Sequence, residues 1–254
     1  MELVFGFLKI YGITILRYVV FAGVPFFLCY HFFKQSFNRS QIQQRLHNKK
    51  QYVNEIIHSL QSSVVIALVG MLFVYSPLNK YTLMYKNLHD YPLWWVPLNV
   101  LLALIIHDTY FYWMHRLLHH KKIFKYTHLV HHQSTNPSPW ASYSFHILEA
   151  FTEALILPIL LFTMPMHILS IFLFTLSSFI INVYGHLGFE ITPKWFRNSV
   201  LFKVLNTSVY HNMHHHHFKG NYGLYFRFWD RLLKTEHPNY VKDFDALQQQ
   251  RFPN

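Results

Sequence analysis

The chain has 254 residues, 52% of them hydrophobic and 19% aromatic, with only 13% charged. A soluble domain carries roughly 25% charged residues, so the composition points to a membrane protein, with a soluble helical protein of very apolar core as the plainer alternative. The formal charge of +11 comes without a basic stripe bearing a nucleic-acid-reading motif, which excludes nucleic acid as the expected partner, and the single cysteine, Cys29, excludes an internal disulfide or a thiolate-rich metal site.

A membrane-spanning helix needs about 20 mostly apolar residues. The first such stretch runs from about Ile10 to Phe33 and includes Arg17 and Pro25. It has no basic start and no small-residue cleavage site, so it reads as an anchor rather than a cleaved signal. A basic loop follows, with Lys34, Arg39, Arg45, Lys49 and Lys50. The second span is expected from about Ile56 to Tyr75, stopping before Pro77. The next loop, Pro77 to Tyr91, holds Lys80, Lys86 and Asp90. A third span starts near the interfacial pair Trp94 and Trp95 and ends near His115. The apolar stretch from Ile147 to Tyr184 is too long for one pass, and Pro165 is the place to turn it into a hairpin.

This order puts the segment from His115 to His146, then His186, then the cluster from His211 to His215 on one face of the membrane. The basic loop with its five Lys and Arg shares that face, while the opposite loop holds only Lys80 and Lys86 beside Asp90 and the hairpin tip holds none, so the rule that positive loops stay inside makes it the cytoplasmic face.

The 20 histidines are concentrated there. HRLLH sets His115 and His119 four apart, HLVHH gives His128, His131 and His132, and HNMHHHH gives His211, His214 and His215, with His216 and His217 as extras. Spacings of three and four put side chains on one helical face. Two such imidazoles grip one metal ion, and three hold one ion and reach towards a second. Eight converging histidines exceed the four ligands of one zinc, so the count suits two metals. Sites of imidazole without thiolate suit iron, zinc, copper or nickel, and iron is the candidate for activating dioxygen. A ligand imidazole must be neutral, which desolvation near the interface favours. His31, His47, His58, His89, His167 and His237 read as ordinary surface or core residues.

From Trp94 to Pro238 the sequence resembles the sterol desaturase and fatty acid hydroxylase family of membrane histidine-box oxygenases. HDTYFYWMHRLLHH resembles its first box, HLVHHQ its second, and YHNMHHHHFKGNYGLYFRFWDRLL its third with the Asn-Tyr-Gly turn and Trp-Asp element. SFHILEA and NVYGHLGFE also match family segments. The resemblance implies two iron ions, dioxygen as co-substrate and a lipid substrate hydroxylated or desaturated at a C–H bond. By position it implies His115, His119, His128, His131, His132, His186, His211, His214 and His215 as ligands. His146, Glu190, Asp108 and Glu149 are further candidates, either for the metals or for orienting the ligands. Glu190, four after His186 and expected on the same face, stands where some relatives have histidine, so that position falls to Glu190 or water. Asp108, seven before His115, either orients an imidazole or is a buried structural acid paired with Arg116 or another base. Phe111, Tyr112 and Trp113 are interfacial anchors or substrate contacts, Asn221 to Gly223 a turn, and Trp229 and Asp230 packing and capping residues.

The expected fold class is all-α: an integral-membrane helical domain of four to five spans with a cytoplasmic histidine-rich cap. Its parts are N-terminal spans and a basic loop (1–93), a histidine-box catalytic domain with a membrane hairpin (94–240) and a tail (241–254). Without a haem module, a cysteine-rich cluster pattern or a dinucleotide fingerprint, electrons are expected from an external reductase with a ferredoxin or cytochrome. The rival functions are a membrane metal transporter, which would set its ligands near mid-membrane, and a zinc-dependent membrane hydrolase, which would want an HExxH-like setting.

Overall fold

In the computed structural model, which describes residues 1–45 and 48–253, the chain is mostly helical. His47 lies outside the described residues. Helix α1 spans Glu2–Phe26, starting eight residues before the apolar run suggested. Pro25 lies inside it, and the chain continues as a π-helix through Phe27–Phe32; a proline removes a backbone donor and crowds the preceding turn, which loosens the helix there. Arg17, inside this apolar helix, donates to Tyr143 Oη at 2.9 Å.

Helix α2, Lys49–Val74, opens on an Asn48 cap that accepts from Gln51 N at 2.8 Å. Helix α3 spans Trp95–Leu118. The expected hairpin turns at Pro165, but its first arm is two helices, α4 (Ile147–Ala154) and α5 (Ile156–Thr163), broken at Leu155. Its second arm is α6, Ile168–Gly185. Among the described residues, three helical segments are long and apolar enough to cross a membrane: Glu2–Phe32, Lys49–Val74 and Ile168–Gly185. Helix α3 is long but more polar, because Asn99, His107, Asp108 and His115 are buried along its inner side. Outer faces of the long helices expose large apolar side chains, among them Leu16, Val20, Leu68, Leu72 and Phe172, as a lipid-facing surface requires.

The hairpin tip is tied to the loop after α2. Strand β1 (Met84–Tyr85) pairs in parallel with β2 (Met166–His167), and the Pro165 carbonyl accepts from Trp95 Nε1 at 3.0 Å and Asn99 Nδ2 at 2.9 Å. Helices α3 and α6 both start at this tip and end at the histidines. At 1.5 Å per residue α6 is roughly 27 Å long, so the tip and the histidines are separated by about the thickness of a bilayer core.

Beyond that end lies a cap. Helix α7, Ser208–His217, starts on a Thr207 cap and stops where Phe218 turns left-handed, at φ 61°. Helix α8, Tyr240–Arg251, packs Tyr240, Phe244 and Leu247 against Phe202, Val209 and Tyr210. Residues 241–254 were expected to be a tail; through Arg251 they form this helix, since Phe244 and Leu247 give it an apolar face to bury.

Candidate metal centre

The histidine rings gather in two adjacent groups. His115, His119, His128, His132 and His214 form one; His131, His186, His211 and His215 form the other; within each group the candidate ligand atoms lie within 4.8 Å of one another. These are the nine histidines picked out by spacing and resemblance. The two His-His pairs explain why the groups touch. His131 and His132 point into different groups, as do His214 and His215, because consecutive residues of a helix project about 100° apart.

Within the groups the Nε2 atoms face each other. The separations are 2.9 Å for His115–His128 and 3.1 Å for His119–His214, His132–His119 and His132–His214. In the second group they are 3.3 Å for His131–His186, 3.1 Å for His186–His211, and 3.2 Å from His215 to His186 and to His211.

The other ring nitrogen fixes the tautomer. The Nδ1–H donates to a carbonyl in His115 (Tyr222 O, 2.9 Å), His131 (Ser144 O, 3.3 Å), His186 (Asn182 O, 2.8 Å), His214 (Gly220 O, 2.7 Å) and His215 (Ser134 O, 2.9 Å). In His128 it donates to Glu149 Oε1 at 2.6 Å. A carbonyl only accepts, so Nδ1 carries the proton and Nε2 presents a lone pair. Pairs such as His115–His128 and His131–His186 therefore set lone pair against lone pair with no proton between them. That arrangement is repulsive unless a cation sits among the nitrogens.

Burial, and then the neighbouring imidazoles, hold His128, His131, His132, His211, His214 and His215 well below the usual imidazole range. The rings are thus neutral, the form that ligates. Two nitrogens each about 2.0–2.1 Å from one ion lie roughly 3 Å apart when they subtend a right angle. The donor set therefore fits two transition-metal ions side by side.

The loop that supplies two of these carbonyls is held from below. Asp230 accepts from Tyr222 N at 3.0 Å and Gly223 N at 2.7 Å. Asp108 accepts from Leu224 N, Tyr225 N and Phe226 N at 3.1, 2.7 and 3.2 Å. Gly220 has φ 80°, and a Cβ there would meet the Thr235 carbonyl at 2.6 Å, so this turn needs glycine. On the other side, Glu55 accepts from Gln51, Ser134 and Ser138 and fixes the segment whose Ser134 carbonyl orients His215.

Four further candidates take different places. Glu149 contacts an imidazole, as above. Asp108 touches none: it clamps backbone, and Arg116 donates instead to Tyr112 Oη at 3.4 Å. Glu190 is not on a common face with His186, because α6 ends at Gly185 and Gly188 turns with φ 74°. It accepts from Tyr184 Oη, Thr192 and Val209 N, and lies outside both groups. His146 caps α4 by accepting from Leu148 N at 3.2 Å and is also outside them. His216 and His217 are exposed.

An apolar cavity leads from His128, His131, His186 and His211 into the helices, walled by Phe111, Phe145, Phe174 and Phe179. Phe111 is thus cavity wall, whereas Trp113 is exposed. Sequence reasoning passed over two acids and one base here. Glu55 carries no spacing signal, whereas Glu153 stands one turn after Glu149 on the same face of α4. His107 also had a signal, its position two turns before His115 on the same helix.

Residues 100–235 match the fatty acid hydroxylase family model. Among curated proteins, the chain is 31% identical over 72% of its length to a Delta(7)-sterol 5(6)-desaturase of Gibberella zeae, and 32% identical over 75% of its length to lathosterol oxidase of Rattus norvegicus. It is 30% identical over 72% of its length to lathosterol oxidase of Homo sapiens. The matches span 57%, 63% and 60% of those relatives' own lengths. No solved structure matches. With its three histidine boxes and this family match, the chain belongs to the sterol desaturase and fatty acid hydroxylase family of membrane oxidoreductases.

Proposed function

We propose that the chain is a multi-pass membrane oxidoreductase that holds two iron ions and uses dioxygen to desaturate or hydroxylate a C–H bond of a lipid. A sterol is the first substrate to try, because the similar proteins act, by their names, on Delta(7)-sterols and lathosterol. The observation that carries the reading is the pair of neutral imidazole groups, lone pairs inward, at the mouth of an apolar cavity. His115, His119, His128, His132 and His214 would hold one ion, and His131, His186, His211 and His215 the other. Bound iron would supply the reduction of dioxygen.

The chain's own residues do the rest. Glu149 and the backbone carbonyls keep the Nδ1 protons in place on His115, His128, His131, His186, His214 and His215, so that the Nε2 of each of these rings stays a donor to metal. The aromatic wall excludes water and aligns the lipid. Forming one alkene removes two hydrogens and two electrons from the lipid. Reducing dioxygen to two waters takes four electrons, so an external ferredoxin or cytochrome with its reductase provides the other two. The proposed orientation places the histidine end, with the basic loop from Lys34 to Lys50, on the cytoplasmic side. Residues 94–240 form the proposed catalytic unit, with 1–93 as its membrane support and 241–254 as a terminal segment packed on the cap.

The ligands cluster at the helix ends rather than along a mid-membrane path, which favours an enzyme over a transporter. The test is to purify the protein without oxygen, count iron, and supply reductant, dioxygen and either lathosterol or a phospholipid extract. About two irons per chain and an oxidised lipid are expected, and His131→Ala should lose both. Full activity in that variant, or one zinc per chain with no oxygen uptake, would overturn the proposal.

A further inference from the structure

We infer that the stretch of the cavity beside His107 is a hydroxyl-recognition site, built from His107, Ser178 and Tyr225, that takes the alcohol group of a neutral lipid. This rests on the lipid-oxidation reading above and adds the chemical class of the substrate.

His107 is 6% exposed and lines the cavity together with Ser178. Tyr225 donates its hydroxyl to Ser178 Oγ at 2.6 Å. Its oxygen lies 2.8 Å from His107 Nδ1, and with its one proton already given it accepts from that nitrogen. His107 Nε2 is then an acceptor, and it is buried with no partner. Its ring neighbours Phe111 and Phe174 offer none. A buried acceptor left unmade is destabilising, so a partner that donates a hydrogen bond is called for from the cavity side. Ser178 keeps its own proton for a further acceptor. A hydroxyl answers both, donating to His107 Nε2 and accepting from Ser178 Oγ. A ketone or ester offers no donor. A fatty-acid carboxylate would be buried there without a counter-charge, since among the described residues no Lys or Arg lines the cavity.

The position sets a reach. His107 precedes His115 by eight residues on α3, and Ser178 precedes His186 by eight on α6 and its end. Eight residues of helix rise about 12 Å. The carbon presented at the histidines therefore lies within roughly 12 Å of the alcohol, which suits a compact ring lipid better than a chain oxidised near its far end.

The test uses the full chain as purified, kept without oxygen or reductant so that nothing turns over, in lipid nanodiscs, and reads equilibrium binding of lathosterol and of hexadecanol, each beside its O-methyl ether. The ether keeps the acceptor and loses the donor. Wild type should prefer at least one free alcohol to its ether by about tenfold. His107→Phe should lower that alcohol to the level of the ether and leave the ether within about twofold. Ser178→Ala, on a different helix, should shrink the preference in the same way, and it carries the test if His107→Phe does not fold. Equal binding of alcohol and ether to wild type, a parallel loss of both in the variants, or no binding of either alcohol would overturn the site. Iron content and oxidised product, measured separately, report on the lipid-oxidation reading. An enzyme that oxidises lipid with no hydroxyl preference fails here alone, and one that binds alcohol through His107 but oxidises nothing fails there alone.

Discussion

His128 Nδ1 lies 2.6 Å from Glu149 Oε1, with the two side chains 2% and 1% exposed. This is the one imidazole of the two groups seen to donate to a carboxylate rather than to the backbone, and Glu149 comes from α4 while His128 comes from the segment after α3. The contact makes His128 a stronger metal donor and locks its ring.

Glu149→Ala should therefore lower metal affinity about ten- to a hundred-fold, the usual cost of removing such a partner. It leaves the buried Nδ1–H unpaired, which costs about 1–3 kcal/mol. Glu149→Gln, which keeps an acceptor, should lose less. Iron titration of the two variants checks this, and equal iron binding by Glu149→Ala and wild type would show that the contact does not serve the metal.

Removing metal should destabilise the protein, because the facing Nε2 lone pairs lose the cation that reconciles them. A ligand at a thousand times its dissociation constant stabilises by about 4 kcal/mol. Thermal unfolding in detergent, before and after chelation, should show a clearly lower midpoint without metal and recovery when iron is restored. An unchanged midpoint would mean the groups are tolerated empty and would weaken the case for resident ions.

Acid should act in the same direction. His128, His131, His132, His214 and His215 have folded values well below the unfolded value of 6.5. Above about 6.5 the rings are neutral in both states and no stability is lost. As the pH falls below that point the unfolded chain takes up protons that the folded chain refuses. Stability declines by up to about 1.4 kcal/mol per pH unit for each ring until its folded value is reached. The metal-free protein should unfold at a lower temperature at pH 5 than at pH 7.5, and the loaded protein should release metal over the same range. A midpoint that does not change with pH would contradict neutral burial of these rings.

Much of this centre is legible in the sequence because ligation imposes spacing. The i, i+3 and i+4 pattern from His211 to His215 survives as α7, and Pro165 marks the hairpin turn. What the sequence hides is whatever depends on where a helix stops. Glu190 looks like a neighbour of His186 only if α6 continues, and Gly188 ends that relation. The carbonyls that hold Nδ1 leave no residue signature at all, since any side chain can accompany a backbone oxygen. Nor does spacing say which histidine joins which metal; the adjacent pairs His131–His132 and His214–His215 divide between the groups only once the helices are packed together.

Asp108 offers the sharpest separation of positioning from ligation. It contacts no imidazole, yet its three backbone hydrogen bonds hold residues 224–226 against α3, directly after the Tyr222 carbonyl that orients His115. Glu190 is equally buried and also bonds backbone, but it anchors the start of α7, where no Nδ1 acceptor lies. Asp108→Ala should therefore lose iron as well as stability. Glu190→Gln should lower the unfolding midpoint and keep its iron at temperatures where it is folded. The comparison is made by measuring metal content on the folded fraction of each variant. If Asp108→Ala retained full iron while merely unfolding earlier, the loop's carbonyls would not be needed to aim the rings, and the orientation of His115 would have to come from α3 alone.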